Sequence, residues 1–298
     1  MDLGAAESRA SELTGSFAAS RDLRAGARAG EYVVEALIGR GGMGTVYAAR
    51  QPVIGERVAI KVLAAEMYDA SFLARSVDAV RAVNTISHPN IVDIFAFGQL
   101  DDGRDYFVME LLEGQSFRER LNAGPLQPRA IDLYLTQLCA ALQAAHDAGI
   151  VHRDLKPENI WLSRPEHGEP RLKLLDFGIA KFFSKGSANE LGLLSDVGVV
   201  FGTPSYMSPE QCQGADVDVR TDIYALGVML YEMYMCELPF VGDALQVLAQ
   251  HLVTPPPQAT RAPERVAQLI AMCLAKDPDA RPKQACDVLE RFQRAKLL

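Results

Sequence analysis

The chain has 298 residues, 49% of them hydrophobic, and a formal charge of −8. That is enough apolar material for one large domain or two packed lobes, and the acidic balance gives no support for nucleic-acid binding as the main task. No apolar run reaches the roughly 18 residues of a spanning helix, the N-terminus lacks the apolar core of a secretory leader, and the five cysteines form no C-x-x-C pair, so reduced, mostly buried thiols in a cytoplasmic protein are expected.

Residues 1–30 are rich in Ala, Ser, Gly and Arg with few large apolar side chains, and are expected to form a flexible N-terminal segment. From Tyr32 the texture changes. Segments 32–38 and 45–50 read as strands joined by a glycine-rich turn, and 57–63 as a third, with Val58, Ile60 and Val62 alternating against Ala59 and Lys61. A helix is predicted over 71–86, then strands at 91–99 and 105–110 around the turn Asp101-Asp102-Gly103. After Gly114 the pattern turns helical: 129–148 carries Ile131, Leu135, Leu138, Leu142 and Ala145 at helical spacing, and 222–235, 243–252, 265–275 and 283–295 follow. The expected architecture is α+β: a small antiparallel β-sheet lobe with one main helix over 31–112, a larger, mostly α-helical lobe over 113–295, and a cleft between them.

Ile38-Gly39-Arg40-Gly41-Gly42-Met43-Gly44-Thr45-Val46 contains Gly39-x-Gly41-x-x-Gly44. Glycine lets a backbone approach phosphate oxygens closely, although the same residues also suit a plain flexible hairpin. A dinucleotide site would need a helix after the last glycine, and Thr45-Val46-Tyr47 favours a strand instead. One strand later comes Lys61. A lysine in an apolar strand is either an edge residue facing solvent or a cation kept for a ligand.

His152-Arg153-Asp154-Leu155-Lys156-Pro157-Glu158-Asn159, followed by Asp176-Phe177-Gly178, puts a carboxylate, a lysine and an amide on one loop and a second carboxylate beside a glycine. Phosphoryl transfer from ATP to a hydroxyl needs these parts. A Ser-His-Asp hydrolase is excluded by the lack of a G-x-S-x-G elbow, and no zinc motif occurs.

With the glycine loop and Lys61, this string resembles the protein kinase family, in particular its bacterial eukaryotic-like Ser/Thr branch, from about residue 31 to 289. The resemblance implies the two-lobed protein-kinase-like fold, ATP and magnesium (Mg²⁺) as cofactors, and protein substrates with Ser/Thr acceptors. It makes Asp154, Lys156 and Lys61 the catalytic candidates and Asn159 and Asp176 the metal ligands. Lys61 would hold the α- and β-phosphates under the loop from Ile38 to Gly44. Val46 and Ala59 would cover the adenine, Met109 would guard the back of the pocket, Glu110 and Leu112 would belong to the hinge, and Trp161 would form the floor. His152 and Phe177 would pack and set the loops, and Asp222 would support the catalytic loop. Ser208-Pro209-Glu210 resembles the end of the activation segment, with Glu210 pairing Arg281, and Lys156 with Thr203 resembles Ser/Thr specificity. Ser195 is the candidate phosphosite between Gly178 and Gly202.

One position departs from the family pattern. Counting back nine residues from His88 gives Ala79, where the family carries the glutamate that pairs the strand lysine. Asp78 is one residue away, about 100° around a helix. Weakened phosphotransfer is therefore expected. The alternative is a kinase-fold nucleotide-binding switch or scaffold, which Ala79 favours and the retained Asp154, Asn159 and Asp176 disfavour. A small-molecule kinase is disfavoured by the segment through Glu210.

Overall fold

In the computed structural model the described residues are 22–41, 44–64, 85–164, 170–176 and 204–296. They divide into two units: 22–64 with Phe95–Leu111, and 85–94 with 112–296. The expected boundary at 112 thus misplaces the described residues 85–94, which bond into the second unit: Val92 N–H donates to the Leu174 carbonyl at 3.0 Å.

β-Branched and aromatic residues build the first unit, a six-stranded sheet in the order β1-β2-β3-β4-β6-β5. Its strands are β1 (Arg28–Ala29), β2 (Tyr32–Gly41), β3 (Gly44–Arg50), β4 (Arg57–Leu63), β5 (Ile94–Gln99) and β6 (Asp105–Glu110). β4 lies between β3 and β6, antiparallel to both, so Val58 to Leu63 are buried on both faces. Val58, Ile60 and Val62 join the core with Val34, Tyr47 and Val108. Ala59 and Lys61 occupy the opposite face, where Lys61 is only 8% exposed. The edge-lysine reading therefore fails: Lys61 stands on a central strand.

The sheet begins ahead of the expected boundary at residue 30. Arg28–Ala29 pairs with β2, Ala29 is fully buried, and Leu23 packs on the same core while its N–H donates to the Tyr47 hydroxyl at 3.1 Å. Between β2 and β3, a Cβ at Gly44 (φ 149°) would sit 2.2 Å from the Val62 carbonyl oxygen, so glycine is required there by the neighbouring strand. The predicted helix at 71–86 lies outside the described residues except for 85–86, which are helical.

The second unit is mainly helical. Its described helices are α1 (Phe117–Asn122), α2 (Pro128–Asp147), α3 (Pro209–Gln213), α4 (Val219–Met235), α5 (Ala244–Val253), α6 (Glu264–Cys273) and α7 (Ala285–Lys296). α4 is apolar nearly all round and forms the unit's axis. Leu135, Leu138 and Leu142 of α2, Val266 and Ile270 of α6, and Val288 and Phe292 of α7 share its core. A Cβ at Gly227 would lie 2.6 Å from Cys273 Cβ, so this glycine lets α4 and α6 close on each other. A small antiparallel sheet, β7 (Gly114–Ser116), β8 (Ile160–Ser163) and β9 (Arg171–Leu174), completes the unit. The cysteines are less buried than expected. Cys139 and Cys273 are buried and Cys212 and Cys286 half-buried, while Cys236 is exposed because α4 ends there in the left-handed conformation (φ 59°).

His251 of α5 is fully buried. Its Nδ1 lies 2.9 Å from the Tyr224 hydroxyl, and Tyr224 and Phe240 meet its ring edge-on. Burial, with the nearby Lys276 charge, pushes the imidazole down to about 4. The neutral ring is thus the folded form, so its contribution to stability is complete above the unfolded value of about 6.5 and lost as pH falls from there towards 4. Urea unfolding at pH 7.5 and pH 5 is expected to show about 2 kcal/mol of lost stability from this group, with a shallower loss in His251→Gln. Identical pH dependence in the two proteins would contradict the assignment.

Candidate active site

The site is built outward from Asp222, in the first turn of α4, where the carboxylate is fully buried and favoured by the helix N-terminus. Its Oδ2 accepts from the His152 backbone N–H at 2.8 Å and its Oδ1 from the Arg153 N–H at 2.9 Å. His146 Nε2, near the end of α2, lies 2.8 Å from Oδ2. Two elements far apart in sequence thus fix the start of the loop through one side chain.

His152 is fully buried and carries the constraint forward. Its Nδ1 accepts from the Asp154 N–H at 3.3 Å, and its Nε2 lies 2.9 Å from the Leu175 carbonyl, an arrangement that suits the neutral tautomer with hydrogen on Nε2. Burial depresses its pKa, against the raising effects of Asp222, the Leu175 carbonyl, Asp154 and Asp176. Expected to pack and to set the loops, His152 is buried and also makes a polar bridge from the loop to the residue before Asp176.

Asp154, Lys156 and Asn159 meet. Lys156 Nζ donates to Asp154 Oδ2 at 2.8 Å, and Asn159 Nδ2 donates to the same oxygen at 3.0 Å and to the Asp154 carbonyl at 2.8 Å. Asn159 closes a short 3-10 turn (Pro157–Asn159), and its carbonyl accepts from the Leu175 N–H at 2.8 Å. Asp176 follows at φ 45° and Arg153 stands at φ 63°, both in the left-handed region that non-glycine residues seldom adopt. Each is held by its surroundings. Arg153 gives its N–H to Asp222 and receives Gln211 Nε2 on its carbonyl at 2.7 Å, and Leu175, just before Asp176, is bonded at both N–H and carbonyl.

A small recess adjoins the loop, lined in part by Asp154, Lys156, Tyr206, Met207, Gln211 and Thr221. The segment behind it is anchored as expected from the Glu210 context. Arg281 forks onto Glu210 at 2.7 and 2.9 Å, and the Thr221 hydroxyl adds a third bond at 2.7 Å. Burial would raise the Glu210 carboxyl, but the Arg281 hydrogen bonds and charge outweigh it and hold it below the usual range.

Trp161, on β8, is half-buried and alternates with Ile160 and Leu162, which enter the helical core while Trp161 does not. Leu112, in this unit, is half-buried. In the other unit, Lys61 pairs with Val46 and Phe107, and Ala59 with Ala48 and Met109. Glu110 ends β6, Ile38 and Arg40 are exposed, and a Cβ at Gly41 would meet no described atom within 4 Å. Gly42, Met43, Ala79, Asp78, Phe177, Gly178, Ser195 and Thr203 lie outside the described residues.

Sequence reasoning missed His146, Gln211 and the partners of Glu158. A weak signal existed for His146, an ionisable residue one position beyond the apolar stripe that ends at Ala145.

A single-sheet unit and a helical unit bearing such a loop define a protein-kinase-like fold, and comparison with known proteins agrees. The model of the protein kinase domain matches residues 32–291. Serine/threonine-protein kinase pkn3 of Myxococcus xanthus is 41% identical over 265 residues, covering 86% of this chain and 48% of that protein. Serine/threonine-protein kinase PrkC of Bacillus subtilis is 35% identical over 266 residues, covering 87% of the chain and 39% of that protein. The crystal structure of the Mycobacterium tuberculosis PknI kinase domain superposes with a TM-score of 0.72 at 25% identity, covering 92% of this chain and all of that one. The chain belongs to the protein kinase family. It spans half or less of the length of these two curated relatives.

Proposed function

We propose that this chain transfers the γ-phosphoryl group of ATP to Ser or Thr hydroxyls of proteins, through a kinase domain at 31–295. The observation that carries the reading is the hydrogen-bonded set Asp154, Lys156 and Asn159 on a loop fixed by Asp222. Asp154 orients the acceptor hydroxyl and takes its proton as the new O–P bond forms and the bond to ADP breaks. Lys156 balances charge on the transferring group. Lys61, already drawn into a central strand, holds the α- and β-phosphates beneath the loop from Ile38 to Gly44.

The donor set fits magnesium. Asn159 spends its amide nitrogen on two bonds to Asp154, which directs its side-chain oxygen elsewhere as a hard ligand, and Asp176 supplies a carboxylate. Bound magnesium would neutralise the phosphate charge. The family resemblance assigns Val46, Ala59, Met109, Glu110, Leu112 and Trp161 to adenine binding, and Trp161 is on a face that leaves it outside the helical core. Lys156 and Thr203 support a Ser/Thr acceptor. No described helix is long and apolar enough to cross a membrane, and a cytoplasmic site of action is the reading that composition supports.

Transfer of label from γ-labelled ATP to a generic basic protein tests this. Asp154→Asn is expected to lose about 10²–10⁴-fold in rate while keeping nucleotide affinity. Label persisting in that variant would remove Asp154 from its role.

In this reading the rate is lowered by Ala79, which stands at the position of the family's helix glutamate. Ala79→Glu is expected to raise phosphotransfer about 10–1,000-fold, equivalent to roughly 1.4–4 kcal/mol of barrier. An unchanged rate refutes that claim. A chain that binds ATP but transfers nothing, even with Ala79→Glu, would instead favour the nucleotide-binding switch.

A further inference from the structure

In the run Gly39-Arg40-Gly41-Gly42, Arg40 has the one side chain by which the rest of the protein can hold the backbone. The glycines themselves are loosely surrounded. A Cβ at Gly39 would meet only Val46, at 3.9 Å, and one at Gly41 would meet no described atom within 4 Å. Glycine also gives up more conformational freedom than any other residue when it is fixed. The tip of the β2–β3 hairpin therefore depends on Arg40 for its place.

Arg40 Nη2 donates to Asp22 Oδ2 at 2.5 Å, and the Tyr47 hydroxyl donates to Asp22 Oδ1 at 3.3 Å. Tyr47 is buried in the core of the sheet, and its hydroxyl accepts from the Leu23 N–H at 3.1 Å. The chain that carries Asp22 is secured without Arg40. Leu23 and Ala27 pack on the core, and the Gly26 N–H donates to the Val34 carbonyl at 2.8 Å. Asp22 is thus a fixed post and Arg40 the line made fast to it.

The register shows which side the line leaves from. Arg40 pairs with Thr45 and Thr45 with Val62, whereas Gly39 pairs with Val46 and Val46 with Lys61. Cross-strand partners share a face and neighbours along a strand alternate. Arg40 therefore stands on the face of Val62 and Tyr47, opposite Lys61. The guanidinium is drawn to the back of the hairpin, away from the side on which the kinase reading puts the phosphates.

We propose that Asp22 is a positioning residue for the nucleotide. Through Arg40 it tethers the glycine-rich stretch from behind, so that the backbone at Gly39 and Gly41 meets the phosphates already in place. The inference deepens the kinase reading and rests on its nucleotide site. It makes Arg40 a tether, not a phosphate ligand. Preorganisation of this kind raises affinity by lowering the ordering that binding requires.

The test is a double-mutant cycle in the full chain, read as the Kd of labelled ATP with magnesium in equilibrium dialysis, with kcat and the acceptor KM alongside. Both side chains are at the surface, so the fold survives their loss. Asp22→Ala and Arg40→Met are each expected to weaken ATP binding by about 2–5-fold, the scale of an exposed ion pair, and to leave kcat and the acceptor KM unchanged. The double variant binds ATP no more weakly than either single one. If Arg40 met a phosphate directly, Arg40→Met would weaken binding as much in the Asp22→Ala chain as in the wild type, and that additive result overturns the inference. So does a wild-type Kd in Asp22→Ala. A chain that shows the coupling but transfers no phosphoryl group fails the kinase reading alone. A wild-type chain that binds no ATP removes both.

Discussion

The carboxylate of Asp222, sealed in the first turn of α4, takes hydrogen bonds from the backbone of His152 and Arg153 while His146 closes on it from α2. A buried carboxylate is unfavourable by several kcal/mol unless its lone pairs are filled. Here the groups that fill them are the amides of the loop carrying Asp154. Satisfying the charge and placing the loop are one event, so the fold of the helical unit and the geometry of the site are not separable.

From that anchor the constraint spreads through short links. Arg153 is held in a left-handed conformation by bonds at its N–H and its carbonyl, and His152 passes the constraint to Leu175, the residue before Asp176. Backbone angles of this kind are unfavourable by roughly 1–3 kcal/mol each. They persist because the apolar core shared by α2, α4, α6 and α7 stands behind them. A site assembled this way is preorganised, which is what electrostatic catalysis asks of a protein.

Much of this was legible in the sequence where the chemistry is local. β4 and β6 have the boundaries their alternation predicts, and Asp154, Lys156 and Asn159 lie within six residues and do hydrogen-bond. The small sheet β7–β8–β9 was not foreseen, because strands of three and four residues carry too little pattern and form only where distant segments meet. Nor was the fork of Arg118 onto Glu158, Tyr206 and Glu232, which lie 40, 88 and 114 residues away. Lys61 shows the intermediate case. Its oddity in an apolar strand was visible, but only the pairing of β4 with β3 and β6 decides between edge and centre.

Amide hydrogen exchange at His152 and Arg153, without nucleotide, probes the central claim most directly. If Asp222 preorganises the loop, both amides exchange only through large-scale unfolding, and Asp222→Asn speeds them by at least about tenfold, the loss of one good hydrogen bond. Exchange at these two amides as fast as in the exposed turn at 51–56, with no response to Asp222→Asn, would contradict it.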